Sequence, residues 1–357
     1  MSVEYLWRLE EIRGIIDQVF PVTEIWFDGG RPIFAVHLVG DTKARFLALK
    51  ERLESLGYLP LLRHRDGMTV IALMPRPPRG RWRWQVNLLL FLGTLLTTFF
   101  AGYFNFREDA LAGYLPSAAI GGLTFSLSLM LILVCHEMGH KVISIWRGID
   151  ASLPYFIPVP PLPGGLSIGT LGAVIVTRTP APNRDALIDL GASGPIAGFL
   201  VTIPILAIGI SRSVVLTQPV PGPTLPTPLL IDLMLRWILN PPENAVVLVH
   251  PMVFAGWIGL LVTALNLLPA SMLDGGHVAR SLLGSRAHMI VSYGAVALAI
   301  LLGYWPMGLL ILFMIRRGHP GPLDDISGVS PLRRVVALAL VAIFILSAVP
   351  LIPIRMF

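Results

Sequence analysis

Two regimes of hydrophobic patterning divide the chain. Up to about residue 75 apolar positions alternate with charged ones; from about residue 84 they run in blocks long enough to cross a bilayer. In the first regime Leu6, Leu9, Ile12, Ile15, Ile16 and Val19 recur at helical spacing. Thr23 to Phe27 and Pro32 to Val39 read as strands joined by Asp28-Gly29-Gly30-Arg31, a hairpin signal. Thr42 to Leu56 is a second amphipathic helix, stopped at Gly57, and Met68 to Met74 is another strand. The order α-β-β-α-β predicts a small soluble α+β domain over 1–75. His37 and His64 stand alone in it and carry no catalytic spacing.

The second regime opens after a basic and aromatic linker, 76–83, which holds Trp82 and reads as a juxtamembrane anchor. Apolar spans are expected at Trp84 to Tyr103, Ala118 to Ile145, Asp185 to Ile210 and His250 to Leu268. Between the second and third, residues 153–180 are apolar but broken by prolines and glycines, with β character from Gly169 to Thr177. Irregular backbone at membrane depth is tolerated only against protein or a wet cavity, so this segment is read as re-entrant and as lining a site. Its edge could hold an extended peptide by backbone pairing; the competing reading is an ordinary surface loop. Gly194 and Gly198 form a G-x-x-x-G pattern in the third span, a packing signal. Residues 211–245 form a proline-rich loop with a short amphipathic helix at Leu229 to Leu239. His288 to Gly303 and Pro306 to Met314 read as two helices around Tyr304-Trp305-Pro306, and Val335 to Ile352 as the last span. The fold class is a polytopic α-helical membrane protein of about six to seven membrane segments, with a re-entrant β segment and the N-terminal α+β domain.

Composition agrees with that class. Of 357 residues 54% are hydrophobic and 13% charged, and mean hydropathy is +0.73. A net charge of +6 invites a nucleic-acid reading, but the basic residues flank apolar spans and form no patch with interleaved aromatics. Nucleic acid is therefore excluded as a partner, and the lipid bilayer is the expected one. The single cysteine, Cys135, rules out an internal disulfide framework. Met1 to Arg13 carries no basic stretch followed by an apolar core, so no cleaved leader is expected. Arginines cluster before the first span, after the second and after the fourth. The positive-inside rule puts those ends in the cytoplasm, most simply of a prokaryotic cell membrane.

The chemistry gathers at that side. The second span contains His136-Glu137-Met138-Gly139-His140. In a helix His136 and His140 lie one turn apart on one face and can hold one metal, with Glu137 placed to reach the water it activates. The fourth span ends in Asn266-Leu-Leu-Pro269-Ala-Ser-Met-Leu-Asp274-Gly275-Gly276-His277. Pro269 breaks the helix and the paired glycines are expected to allow a tight turn. Catalytic zinc takes three protein ligands and a water. Asp274 meets the conditions of side and depth for the third, His277 one turn on remains open, and His250 lies at the wrong end of its span. Asn266 is either a donor to substrate or oxyanion or an interhelical hydrogen-bonding group.

These two motifs resemble those of the site-2 protease family of intramembrane zinc metalloproteases. The resemblance covers roughly 84–286 and extends to Gly169-Thr-Leu-Gly-Ala173 and Ala192 to Gly198. It implies one zinc ion held by His136, His140 and Asp274, Glu137 as general base, Asn266 in the site, and the transmembrane segment of a membrane protein as substrate. The N-terminal extension, with no inserted domain between the motifs, resembles the subgroup of prokaryotes and chloroplasts. The sequence-based division is therefore 1–75, 76–83, a catalytic core over 84–286 and C-terminal helices over 287–357. A metal transporter or channel is the competing class, but polar groups gather at one depth and no repeated halves are visible. A catalytically silent scaffold is the third reading, opposed by the intact Glu137. Substrate, activating signal and oligomeric state are not written in the sequence.

Overall fold

A computed structural model describes residues 3–78, 80, 82–161, 167–216, 226–242, 245–301 and 303–348. The N-terminal part is a four-stranded antiparallel sheet with two helices. α1 (Val3–Asp17) and α2 (Thr42–Ser55) share one core with β1 (Val22–Asp28), β2 (Arg31–Val36), β3 (Tyr58–Arg65) and β4 (Met68–Pro75), in sheet order β1-β2-β4-β3. Phe20, Phe34, Phe46, Leu49, Leu53, Leu59 and Ile71 fill that core and are fully buried. Asp41 caps α2 by accepting from the amides of Lys43 and Ala44, and Gly57 follows it at φ +85°. The strand β3 is absent from the sequence expectation. Its run Tyr58-Leu-Pro-Leu-Leu-Arg-His-Arg65 neither alternates nor avoids proline. It is an edge strand fixed by pairing to β4 across Asp66-Gly67, both at positive φ.

The second part is a helical bundle. α3 (Trp84–Asn105), α5 (Ala118–Trp146), α6 (Arg184–Ser211) and α9 (Asp274–Leu301) are long and apolar enough to cross a membrane. α8 (Pro251–Asn266) and α10 (Trp305–Ile315) are shorter apolar helices, and α11 (Pro331–Ser347) packs on α6 and α8. The short α4 (Arg107–Leu111) follows α3, and β7 (Val214–Leu216), α7 (Leu229–Ile238) and β8 (Val246–Leu248) lie between α6 and α8. Caps start the long helices where expected: Ser117 accepts from the Ile120 amide and Asn183 from the Ala186 amide. The central α5 packs on α3, α6 and α8. Residues 288–315 divide into two helices as the arginine pattern predicts, but α9 begins fourteen residues earlier, at Asp274, and is broken at Gly284 (φ +78°). The last helix starts at Pro331 and is described to Ser347; the expected end at 349–352 lies outside the described residues.

Residues 153–180 form a hairpin, β5 (Tyr155–Pro158) with β6 (Thr170–Val174); 162–166 lie outside the described residues. The hairpin runs along α3. Asn87 donates to the carbonyls of Leu153 and Pro154, Thr97 to that of Gly169, and Asn105 to that of Ser167. From Asn87 to Asn105 is about 27 Å of helix. The linker differs from a free anchor: the Trp82 indole donates to Asp150 at 3.1 Å and Arg178 stacks on its ring at 3.6 Å. Two linker arginines, Arg79 and Arg81, lie outside the described residues.

A connection between α10 and α11, residues 316–330, ties the two parts together. It runs beside the edge strand β3: the Leu62 amide donates to Leu323 at 2.9 Å, and Leu323 is buried in the N-terminal core. It also runs beside the start of α6, where the amides of Leu323 and Asp324 donate to Ala181 and Pro182. Lys43 of α2 reaches Asp185 of α6 at 2.8 Å and the carbonyl of Gly328 at 2.9 Å. The sheet is therefore docked on the end of the bundle that carries the arginines.

Candidate metal centre

His136 and His140 occupy consecutive turns of α5, about 9 to 15 Å from its basic end at Trp146. Asp274 is the first residue of α9, reached after α8 stops at Asn266. α6 packs against both, and its small residues set how closely they approach. A β-carbon on Gly194 would overlap the His140 ring, one on Gly198 would sit 3.2 Å from His136, and one on Gly191 would sit 2.5 Å from the Asp274 carbonyl. The glycine pattern of this helix thus does more than pack helices: it makes the room in which three polar side chains meet.

The meeting is tight. The Nε2 atoms of His136 and His140 are 3.3 Å apart; Asp274 Oδ2 is 3.3 Å from the first and Oδ1 3.3 Å from the second. His140 turns Nδ1 to the Leu190 carbonyl at 2.8 Å, so Nδ1 carries the proton and Nε2 presents a lone pair. Two imidazole lone pairs and a carboxylate facing one point repel unless a cation or shared protons lie between them. A tetrahedron with metal–ligand distances of 2.0–2.1 Å has edges of about 3.3 Å. Donor chemistry and spacing both fit zinc, and these three are the one such group found among the described residues.

A cavity of about 540 Å³ opens on this cluster. Glu137 and Asn266 line it, as do the β6 side from Leu171 to Thr177 and the α10 side chains Met307, Leu310 and Met314. Glu137 is buried, and neither its carboxylate nor the Asn266 amide has a hydrogen bond to protein among the described residues. Asn266 thus makes no interhelical bond there. His277 also lines the cavity, but its Nδ1 is held at 2.8 Å by His319 and it is not in the ligand cluster. His250 caps α8 at the far end, as expected. Cys135 stands outside the cluster. Sequence reasoning missed His319 and Asp325, which lie on the connection with no motif around them.

Gly275 and Gly276 differ from expectation in mechanism. They lie inside α9 and are not among the positive-φ glycines; the left-handed residue of the turn is Ser271 (φ +47°). A β-carbon on Gly276 would meet the carbonyls of Ala270 and Ser271, and one on Gly275 that of Leu267. Close backbone approach, not torsional freedom, requires glycine here.

Comparison with known proteins agrees with this geometry. The model of peptidase family M50 matches residues 124–310. The chain is 27% identical over 307 residues to "Probable zinc metalloprotease EGY1, chloroplastic" of Oryza sativa subsp. japonica, which covers 77% of this chain and 52% of that protein. Its likeness to the protein of the same name from Arabidopsis thaliana is 28% over 299 residues, 74% of this chain and 53% of that one. To "Probable zinc metalloprotease EGY2, chloroplastic" of Arabidopsis thaliana it is 25% over 344 residues, covering 89% and 60%. The chain spans about half the length of the first of these relatives. No solved structure matches.

Proposed function

The chain belongs to peptidase family M50, the site-2 protease family, and from that premise we propose that it is an intramembrane zinc endopeptidase that cleaves the transmembrane segments of membrane proteins. The observation that carries the reading is the convergence of His136, His140 and Asp274 at 3.3 Å spacings, at the wall of one cavity, beside a Glu137 carboxylate with no hydrogen-bond partner among the described residues. A zinc ion held by these three residues would polarise the attacking water and the scissile carbonyl. Glu137 takes the proton from that water and returns it to the leaving amine nitrogen. Asn266 donates its amide to the substrate carbonyl or the developing oxyanion. The free amide and its place on the cavity wall support that role.

The hairpin β5–β6 is the re-entrant segment. Its polar contacts along about 27 Å of α3 support placement at membrane depth. The β6 side of the cavity, Leu171 to Thr177, supports a substrate laid extended along that strand. Seven membrane segments, the upper end of the expected six to seven, follow if α8, α10 and α11 are counted with the four long helices. The docked N-terminal domain and the arginine-bearing ends share one side, which the positive-inside rule makes the cytoplasm of a prokaryotic cell membrane. The relatives' names place those proteins in chloroplasts. We keep the division at 1–75, 76–83, 84–286 and 287–357 as part of this proposal; the contacts of the 316–330 connection with both the N-terminal domain and the start of α6 support treating it as shared between them.

The test is cleavage of a membrane-tethered reporter by purified chain with its Glu137→Gln variant as partner. Wild type cleaves, and the variant keeps its zinc and loses cleavage. A variant that cleaves at the wild-type rate defeats the assignment.

A further inference from the structure

His277 and His319 are the loose ends of the site. His277 lies one helical turn after Asp274, lines the cavity, and is not among the metal-ligand group. Its Nδ1 is 2.8 Å from Nε2 of His319, on the connection between α10 and α11. Nδ1 of His319 is in turn 2.9 Å from the backbone amide of Gly321. The His319 ring is held edge-on between His277 and His288, with ring centres 5.0 and 5.4 Å away.

The direction of every hydrogen bond in this chain follows from its end. A backbone amide can only donate, so Nδ1 of His319 accepts and bears no proton. The His319 proton is then on Nε2, which donates to Nδ1 of His277. Nδ1 of His277 therefore accepts as well, and His277 is neutral with its proton on Nε2. Burial, then the neighbouring His277, His288 and Arg280, hold the His319 imidazole well below the ordinary histidine range, in keeping with a neutral ring. With Nδ1 turned to the connection, the Nε2–H is left without a protein partner among the described residues, on a ring that lines the cavity.

We propose that His277 donates this Nε2–H to a backbone carbonyl of the peptide bound in the cavity, and that His319 is a positioning residue that holds His277 in the donating tautomer. The inference rests on the protease reading of the site and goes beyond it by adding a substrate contact and the group that sets it. It also gives the 316–330 connection a function beyond docking. That connection is anchored in the core of the N-terminal sheet through Leu323 and carries His319 at its start.

Glutamine separates the roles. Its amide places a donor near the position of Nε2 and has no ring tautomer to set. In this chain, His277→Leu lowers the reporter cleavage rate by about tenfold, the size of one lost hydrogen bond to the substrate backbone, while bound zinc is unchanged. His277→Gln stays within about threefold of wild type. His319→Leu loses several-fold alone but nothing further in the His277→Gln background. The proposal is overturned if His277→Gln falls as far as His277→Leu, if His319→Leu costs as much in both backgrounds, or if zinc is lost. The tautomers are read independently of cleavage from imidazole ¹⁵N spectra of the Glu137→Gln protein, which should show both rings protonated on Nε2. A His277 protonated on Nδ1 refutes the relay whatever the rates. If wild type itself fails to cleave while the spectra show that tautomer, the protease reading and the substrate contact fall and the relay stands as structure alone.

Discussion

Gly194 of α6 faces His140 of α5 so closely that a β-carbon on the glycine would overlap Nε2 of the histidine. The smallest side chain in the third long helix thus holds open the space into which a metal-facing nitrogen points. Gly194→Ala should expel that nitrogen and reduce zinc to a small fraction of wild type, with helix content unchanged. Gly198→Ala meets His136 at 3.2 Å, which a shift of a few tenths of an ångström relieves, and should keep most of its zinc. Metal analysis of the two purified variants checks the contrast. Equal zinc in both would show that the glycines serve packing alone.

Asp274 and His277 are separated by the same measurement. Loss of an outer partner of a metal ligand costs about 10- to 100-fold in affinity, and loss of a ligand costs more. Asp274→Ala should therefore weaken zinc binding by more than about a hundredfold. His277→Leu should leave it unchanged. Retained zinc in Asp274→Ala moves the third ligand elsewhere.

The connection depends on one buried ion-pair network. Asp325 accepts from Arg280 at 2.6 and 3.1 Å and from Arg184 at 3.2 Å, and Arg280 is only 3% exposed. Removing the carboxylate leaves a buried guanidinium uncompensated, at a cost of about 3–5 kcal/mol. Asp325→Ala should lower the thermal midpoint in detergent and open 316–330 to proteolysis. Arg280→Met in the same chain should recover part of the loss. A single variant as stable as wild type would show that the network is solvated.

A pH dependence follows from His319. Its folded value is depressed, so the native state resists the proton that the unfolded chain takes up below about 6.5. The neutral-ring contribution is complete above that pH and is lost as pH falls towards the folded value. One unit below about 6.5 the loss amounts to at most about 1.4 kcal/mol. The fall in thermal midpoint between pH 7.5 and 5.5 should be smaller in His319→Gln than in wild type. An equal fall would place the titrating group elsewhere.

Much of the site was legible before folding. The spacing of His136 and His140 on a helix, and the arrival of Asp274 at the same end of another span, follow from periodicity and arginine placement. The boundaries of α3, α5 and α6 follow from their apolar runs, and the starts of α5 and α6 also from the caps Ser117 and Asn183. β3 was not legible, because its residues do not alternate and its strand character comes from pairing with β4. Trp82 read as a lipid anchor from composition, yet Asp150 and Arg178 hold it, and neither is its neighbour in sequence.

The sequence by itself determined that this chain carries helices long and apolar enough to cross a membrane, and that His136, Glu137 and His140 share one of them, because those facts depend on local periodicity and spacing. Only the tertiary structure decided why α6 is rich in glycine, where the N-terminal sheet docks, and that His319 holds His277 from 42 residues away. Those relationships depend on approach distances between elements far apart in the chain, and no local pattern encodes them. The H-E-x-x-H helix supplies the two histidines; the small face of α6 and the 316–330 connection set what surrounds them.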